Sequence, residues 1–241
     1  MKNQIFNEDC LEWMKRIPDG SIDCIITDPP FWSTACRWDH VIPFDLMWKE
    51  LKRIIKPNGA IVLFGSEPFS SALRMSNIKQ YKYDWKWRKE RWVWFQIAKF
   101  RPMMETEDIV VFSKNTPNYF PIMIPLDKPR IEKFASSKSG SSPIANINKW
   151  QRYVTGRYPK NIIEISRDNK NKLHPTQKPV ALIEYLIKTY TNEWETVLDF
   201  TIGSGTTAIA CINTNRNYIG FELDKWYFDI ANERIRNHNN S

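Results

Sequence analysis

The chain has 241 residues, 42% of them hydrophobic, and a formal net charge of +8. That is enough for one full α/β domain with a buried core, and too apolar for a disordered chain. No apolar run reaches the roughly 18 residues of a membrane span, and the opening MKNQIFNEDC has no signal-peptide core, so the expected location is the cytoplasm, away from any membrane.

In the first quarter, Leu11, Met14 and Ile17 fall at helical spacing within residues 8–17, and Pro18-Asp19-Gly20 stops that helix. Ile22 to Thr27 then reads as a short buried strand. Phe44 to Lys56 is helical, with Leu46, Met47, Leu51, Ile54 and Ile55 on one side; Pro57-Asn58-Gly59 ends it, and Ala60 to Phe64 is a second strand. This α-β-α-β alternation predicts a mostly parallel sheet with helices on both faces, a Rossmann-like plan.

The middle is different. Trp85, Trp87, Trp92 and Trp94 form two pairs with a period of two, and Asp108 to Phe112 reads DIVVF, so both stretches predict strands. Trp85 and Trp87 are read as core rather than as base-stacking residues. Residues 79–101 hold eight Lys/Arg against two acids, and residues 113–160 hold nine against two, so the rest of the chain is net negative. A polyanion would be drawn to this middle region, with counterion release favouring the complex. Arg88, Lys89, Arg91, Lys99 and Arg101 are the candidate phosphate contacts; a solvated basic face is the competing reading. Residues 114–160 are rich in Lys, Ser, Pro and Asn, show little periodicity, and are expected to be an irregular inserted recognition region.

The last third returns to alternation: a strand at Asn161 to Ile165, a helix at Pro179 to Tyr190, a strand at Glu195 to Asp199, a helix at Gly205 to Ile212 and a strand at Tyr218 to Leu223. Asp224 then caps a final helix with Tyr227, Ile230, Ala231 and Ile235 on its apolar face. Cys10, Cys24, Cys36 and Cys211 are scattered with no CxxC pair, and the three histidines lie far apart, so neither a disulfide framework nor a metal site is expected.

Two segments carry chemistry. In Val197-Leu-Asp-Phe-Thr-Ile-Gly-Ser-Gly-Thr-Thr-Ala208 a strand runs through a Gly-rich turn into a helix, and Gly203 and Gly205 permit positive φ and close approach of backbone to a ligand. Glu222, 23 residues after Asp199 and at the end of the next strand, can accept both ribose hydroxyls of a nucleoside cofactor. Only 36 residues follow Gly205, so upstream strands must complete this sheet and the order is permuted. The second segment is Ile25-Ile-Thr-Asp28-Pro29-Pro30-Phe31-Trp32. Ligands of open α/β sheets bind beyond the carboxyl ends of strands, which is where Asp28 falls. The two prolines fix φ and donate no N–H, so this loop offers carbonyls, a carboxylate and an aromatic face. Such a pocket suits an exocyclic base amine, whose lone pair is delocalised into the ring. Accepting both N–H groups, with Asp28 and the Pro29 carbonyl as acceptors, favours a pyramidal nitrogen. Phe31 would stack on the base, which must leave the duplex stack to be reached.

With both segments in hand, the chain resembles the amino-methyltransferases of DNA. Asp28-Pro-Pro-Phe31 is similar to motif IV of that family and Asp199-Phe-Thr-Ile-Gly-Ser-Gly205-Thr-Thr to motif I; their order, with a candidate recognition region between them, is similar to the beta class. Asp9-Cys-Leu, Leu51-Lys-Arg-Ile-Ile-Lys-Pro-Asn-Gly-Ala, His174-Pro-Thr-Gln-Lys178-Pro (motif X) and Gly220-Phe-Glu222 (motif II) agree. The resemblance implies S-adenosyl-L-methionine as cofactor. Glu222 would hold its ribose, the run Asp199, Phe200, Thr201, Gly203, Ser204 and Gly205 would line its methionine and adenosine parts, and Asp9 would lie beside it. His174, Thr176, Gln177 and Lys178 would close over the methionine part, with Thr176 also capping the following helix. The domain divides into a catalytic half (1–113), the recognition insert (114–160) and a cofactor-binding half (161–241).

Double-stranded DNA is the implied substrate. Family members are often dimers, so a homodimer is a candidate assembly, and a cognate restriction endonuclease is a candidate partner. Adenine enzymes usually carry Tyr where this chain has Phe31, whereas N4-cytosine enzymes more often begin the motif with Ser, so Asp28 favours adenine N6 over cytosine N4. RNA or protein methylation, a nicotinamide-dependent oxidoreductase and a non-catalytic DNA-binding module remain rival readings. The basic middle region speaks against a protein substrate, the short tail after Gly205 against a dehydrogenase, and the intact Asp28 and Glu222 against a non-catalytic module.

Overall fold

The computed structural model describes residues 2–31, 41–93, 98–133, 151–166, 173 and 176–240. Two compact units emerge, one of residues 1–120 with 161–241 and one of residues 121–160.

The larger unit is built on an eight-stranded sheet. In chain order its elements are β1 (Gln4–Phe6), α1 (Cys10–Met14), β2 (Ile22–Thr27), α2 (Phe44–Ile54), β3 (Ile55–Gly65), α3 (Phe69–Ser76), β4 (Tyr81–Val93) and β5 (Met104–Phe112). The smaller unit contributes β6 (Ile124–Lys133) and β7 (Gln151–Arg157). The larger unit then resumes with β8 (Ile162–Glu164), α4 (Val180–Tyr190), β9 (Thr196–Asp199), α5 (Thr206–Asn213), β10 (Asn217–Phe221) and α6 (Lys225–Asn239). Strand order across the sheet is β1-β10-β9-β2-β3-β5-β4-β8. The first five strands in that order run parallel, β5 is antiparallel to both β3 and β4, and β8 is parallel to β4. This is the Rossmann-like plan with permuted order that the sequence predicts, with one antiparallel strand, β5, inside the sheet.

Two apolar layers cover the sheet. On one face, Cys24, Ile26, Val62, Phe64, Trp85, Trp87, Ile109 and Val111 meet Leu182, Ile183, Leu186 and Ile187 of α4, Ala208 to Cys211 of α5, and Ala231 and Ile235 of α6. On the other, Ile25, Ile61, Leu63, Val110 and Phe112 meet Trp13 and Met14 of α1, Met47, Trp48, Leu51 and Ile54 of α2, and Phe69 and Leu73 of α3. Alternation along each strand assigns the face. The indoles of Trp85 and Trp87 are buried and donate to the Tyr190 hydroxyl (2.6 Å) and the Ile165 carbonyl (2.8 Å), which makes them core, as expected.

Several expectations change. The long helix at 8–17 shortens to α1, and β1 and α3 were not foreseen. Strand β3 begins at Ile55, so the Pro57-Asn58-Gly59 segment lies inside it. The region 114–160 is not irregular throughout: β6 and β7 pair as an antiparallel ribbon. Residues 114–120 belong to the larger unit, where Asn115 and Asn118 donate backbone bonds to Pro57 and Asn58, and Phe120 to Thr189. Residues 134–150, Cys36, Trp94 and His174 lie outside the described residues. Among the described residues no helix is long and apolar enough to cross a membrane.

Candidate active site

Neighbouring parallel strands β10, β9 and β2 all end on the same edge of the sheet, and each delivers one carboxylate: Glu222, Asp199 and Asp28. The chain leaves β9 for β10 through α5 on one face and leaves β2 for β3 through α2 on the other, so the order reverses between β9 and β2. A crevice opens at such a reversal, because the two connections diverge there. Here it is a cavity of about 380 Å³. Its walls include Asp9, Asp28, Pro30, Thr176, Gln177, Lys178, Asp199, Phe200, Thr201, Gly203, Ser204 and Glu222. Sequence reading thus named residues that the fold gathers around one space, all of it inside the larger unit. Pro29, Phe31 and Gly205 are not part of this lining.

The Gly-rich turn is held from three sides. Gly203 and Gly205 both adopt positive φ, 55° and 82°. The Glu222 carboxylate accepts from Gly203 N (2.8 Å) and Asp224 N (2.9 Å). Arg234 of α6 donates to the Ser204 carbonyl (3.1 Å) and to the Thr206 hydroxyl (3.0 Å). Burial raises the pKa of Glu222, and the backbone N–H groups of Asp224 and Gly203 only partly oppose this. Asp199 is buried and saturated with donors: Thr27 Oγ1 (3.0 Å), Thr201 N (3.2 Å) and Thr207 Oγ1 (2.5 Å). Thr27 Oγ1 in turn accepts from Phe200 N (3.1 Å), so this residue of β2 links the two chemistry-bearing strands. Burial pushes the Asp199 carboxyl up to about 7 despite its donors, and the charge of Asp28 adds to the rise.

The two loops touch directly, since Thr201 Oγ1 donates to the Asp28 carbonyl (3.0 Å). The Asp28 carboxylate pairs through Oδ2 with Lys178 Nζ at 2.5 Å, while its buried Oδ1 has no hydrogen-bond partner. Lys178 also meets Glu107 Oε1 at 2.8 Å, and Lys89 meets Glu107 Oε2 at 2.6 Å. Burial raises the Asp28 pKa to about 6, with Lys178 opposing and Glu107 assisting the rise. Burial would by itself raise Glu107 and lower Lys178, but their ion pairs reverse both directions.

Three expectations change with this geometry, those for Lys178, Thr176 and Lys89. Lys178 lines the cavity, yet its ammonium group is committed to Asp28 and Glu107. Thr176 does not cap α4, which begins at Val180 with Pro179 at its N-cap. Asp9 is the N-cap of α1, accepting from Leu11 N (2.8 Å) and Glu12 N (3.3 Å), and reaches the cavity from there. Lys89 is buried against Glu107 rather than presented to solvent, so it does not suit a phosphate contact. Arg88 is half exposed and paired with Glu164 at 2.5 Å and Glu105 at 3.5 Å, Lys99 and Arg101 are exposed, and the Arg91 side chain lies outside the description. Phe31 stacks on Phe69, with ring centroids 5.3 Å apart.

Glu107 was missed. It precedes DIVVF, and alternation alone would have set it on the face of Ile109 and Val111, but nothing in the sequence announces its partners. Thr27 and Arg234 were missed for the same reason.

A Gly-rich turn, a strand-end carboxylate and a second carboxylate loop in one crevice define a Rossmann-like enzyme of the methyltransferase type. A family model described as DNA methylase matches residues 22–233. The type II methyltransferase M.HpaI of Haemophilus parainfluenzae is 30% identical over an alignment that covers 98% of this chain and 74% of that protein. M.HinfI of Haemophilus influenzae is 28% identical over 97% of this chain and 68% of its own length. Among solved structures, the M1.HpyAVI–SAM complex matches with a TM-score of 0.63 and 28% identity, covering 96% of this chain and 98% of that one. The cytosine-N4-specific PvuII DNA methyltransferase, at 19% identity, matches with a TM-score of 0.68 over 98% of this chain and 91% of that one, a likeness of fold. The chain belongs to the N6/N4 family of DNA methylases, and its methyl donor is S-adenosylmethionine.

Proposed function

We propose that the protein methylates the exocyclic N6 of an adenine flipped out of double-stranded DNA. The observation that carries the methyl-transfer reading is the shared crevice, with the Gly203–Gly205 turn and Glu222 on one side and Asp28 on the other; Asp28 at the head of its loop, where N4-cytosine enzymes more often have Ser, favours adenine.

The residues suit the donor. The cavity falls within the volume range of small-molecule sites. Glu222 would take the ribose hydroxyls while keeping its bonds to Gly203 N and Asp224 N. Asp199, Thr201, Ser204 and Gln177 line the space beside it, and the surrounding carboxylates favour a cation. When bound, S-adenosylmethionine supplies an electrophilic methyl group and keeps the bonding pair on sulfur. Asp28 accepts from the amine of the base and takes up the proton that leaves as the new N–C bond forms. The Pro29 carbonyl accepts the second N–H. The loop from Asp28 to Phe31, rigid through its prolines, holds these acceptors without reorganisation, so orientation and preorganised electrostatics supply most of the rate. The basic ribbon and the Lys99–Arg101 segment are proposed to meet the phosphate backbone, and the unit of residues 121–160 to read the target sequence. A cognate restriction endonuclease belongs to the same proposal, on the strength of the type II relatives; a homodimer belongs to it on the family resemblance alone.

Incubation with labelled S-adenosylmethionine and unmethylated DNA, followed by nucleoside mass spectrometry, tests the reading. N6-methyladenine is expected. N4-methylcytosine would move the assignment to the other branch of the family, and label on RNA or protein alone would overturn it.

A further inference from the structure

Asp28, its side chain 21% exposed, is one end of a chain of four largely buried charges drawn from four separate parts of the fold. Lys178 comes from the segment before α4, Glu107 from β5 and Lys89 from β4. The contacts run Asp28 to Lys178 (2.5 Å), Lys178 to Glu107 (2.8 Å) and Glu107 to Lys89 (2.6 Å). Two carboxylates and two ammonium groups leave the set neutral. The side chains of Glu107, Lys178 and Lys89 are only 8%, 10% and 13% exposed. Alternation explains the meeting: residues 87, 89, 107 and 109 share the sheet face covered by α4, and the Phe64 ring lies on that face 5.0 Å from Lys178 Nζ. A buried ion network contributes little net stability compared with apolar packing of the same volume. Its presence beside the crevice therefore calls for a role in the chemistry.

We propose that Lys178, anchored by Glu107, is a positioning residue for the catalytic carboxylate: it holds Asp28 as an anion through Oδ2 and leaves Oδ1 as the acceptor for the substrate amine. This rests on the reading of Asp28 as the amine's acceptor. It also takes Lys178 away from the cofactor, where the motif resemblance had put it. Lys178 is itself fully protonated between its two acids, so it cannot be the base. Its work is to keep Asp28 ionised inside a site that favours the neutral acid. The charged groups facing Asp28 are Lys178, Glu107, Lys89 and, from the end of β9, Asp199. Lys178 favours the anion and Glu107 opposes it, so removing each must move the acid limb of activity in opposite directions.

The test is the pH dependence of single-turnover methyl transfer to duplex DNA, with S-adenosylmethionine affinity measured alongside by calorimetry. Lys178→Met should move the acid limb to higher pH and slow transfer roughly tenfold or more near pH 6.5, while cofactor affinity changes less than about threefold. Lys178→Arg should return the limb toward its wild-type position. Glu107→Gln should move it to lower pH. An unmoved limb in Lys178→Met, or weaker cofactor binding with an unmoved limb, overturns the proposal; the second outcome makes Lys178 a cofactor ligand. If Lys178→Met does not fold, Glu107→Gln decides, and an unmoved limb there overturns the proposal equally. A fully active Asp28→Asn enzyme would instead remove the underlying reading of Asp28, whatever the lysine variants do.

Discussion

Replacing Gly205 by alanine puts a methyl group where the chain leaves no room. At φ 82° the residue sits in the left-handed region, which costs an alanine about 1–2 kcal/mol. A Cβ built there would lie 3.1 Å from the Ala231 Cβ and 3.3 Å from its Cα, so α6 must yield by a few tenths of an ångström. Overpacking of this kind adds about 1–3 kcal/mol, for a total of roughly 2–5 kcal/mol. Gly20 is the internal control. It has φ 59° and nothing within 4 Å of a built Cβ, so Gly20→Ala reports the backbone cost alone, about 1 kcal/mol after the entropy lost from the unfolded chain is counted. Urea denaturation of both variants gives the difference. For a domain of this size, Gly205→Ala should lower the melting temperature by roughly 5–15 °C. Ala231→Gly in the Gly205→Ala background should recover the part due to contact, leaving a favourable coupling between the two sites. If Gly205→Ala costs no more than Gly20→Ala, the close approach of the Gly-rich turn to α6 is wrong.

Glu222→Gln should weaken S-adenosylmethionine binding by about 1.5–3 kcal/mol, roughly ten- to hundredfold in Kd by calorimetry, because charge-assisted bonds to the ribose are lost; an unchanged Kd would remove Glu222 from the site. Asp199 titrates near 7 in the fold against an ordinary 3.8, so it favours the folded state below about pH 4, and that contribution is lost as pH rises to about 7. Asp199→Asn should therefore gain stability relative to wild type across that window, read as the difference in urea midpoints; a constant difference would contradict the burial argument. Lys99→Ala should reduce the salt slope of DNA binding by about one. Lys89→Met should leave that slope unchanged while lowering stability, because Lys89 faces Glu107 and not solvent.

The parts of the sheet that repeat βα units were readable because strand, turn and helix announce each other locally. Ile22–Thr27 is a short, mostly apolar run stopped by Asp28-Pro29-Pro30, and Asp224 caps α6 in one step of sequence. What escaped depends on partners. Strand β1 is three residues long and exists only because it pairs in parallel with β10. Helix α3 shows just Phe69 and Leu73 at helical spacing. Strands β6 and β7 carry KPRIEK and QRYVTGR, with no clean alternation, and are fixed by backbone pairing. The basic count over 79–101 was real, but counting cannot distinguish a lysine in solvent from one folded onto a buried glutamate. That is why Lys89 was misread and Glu107 overlooked. The site itself was legible because its two loops have unusual local composition, and both sit at strand ends that parallel pairing brings to one edge.

Donor and base are proposed to occupy distinct walls of one crevice. Asp28→Ala, followed by calorimetry with S-adenosylmethionine and by single-turnover methylation of duplex DNA, separates the two walls. Cofactor affinity within a few-fold of wild type together with loss of methyl transfer is the expected result. An Asp28→Ala enzyme that methylates DNA at the wild-type rate would contradict the account.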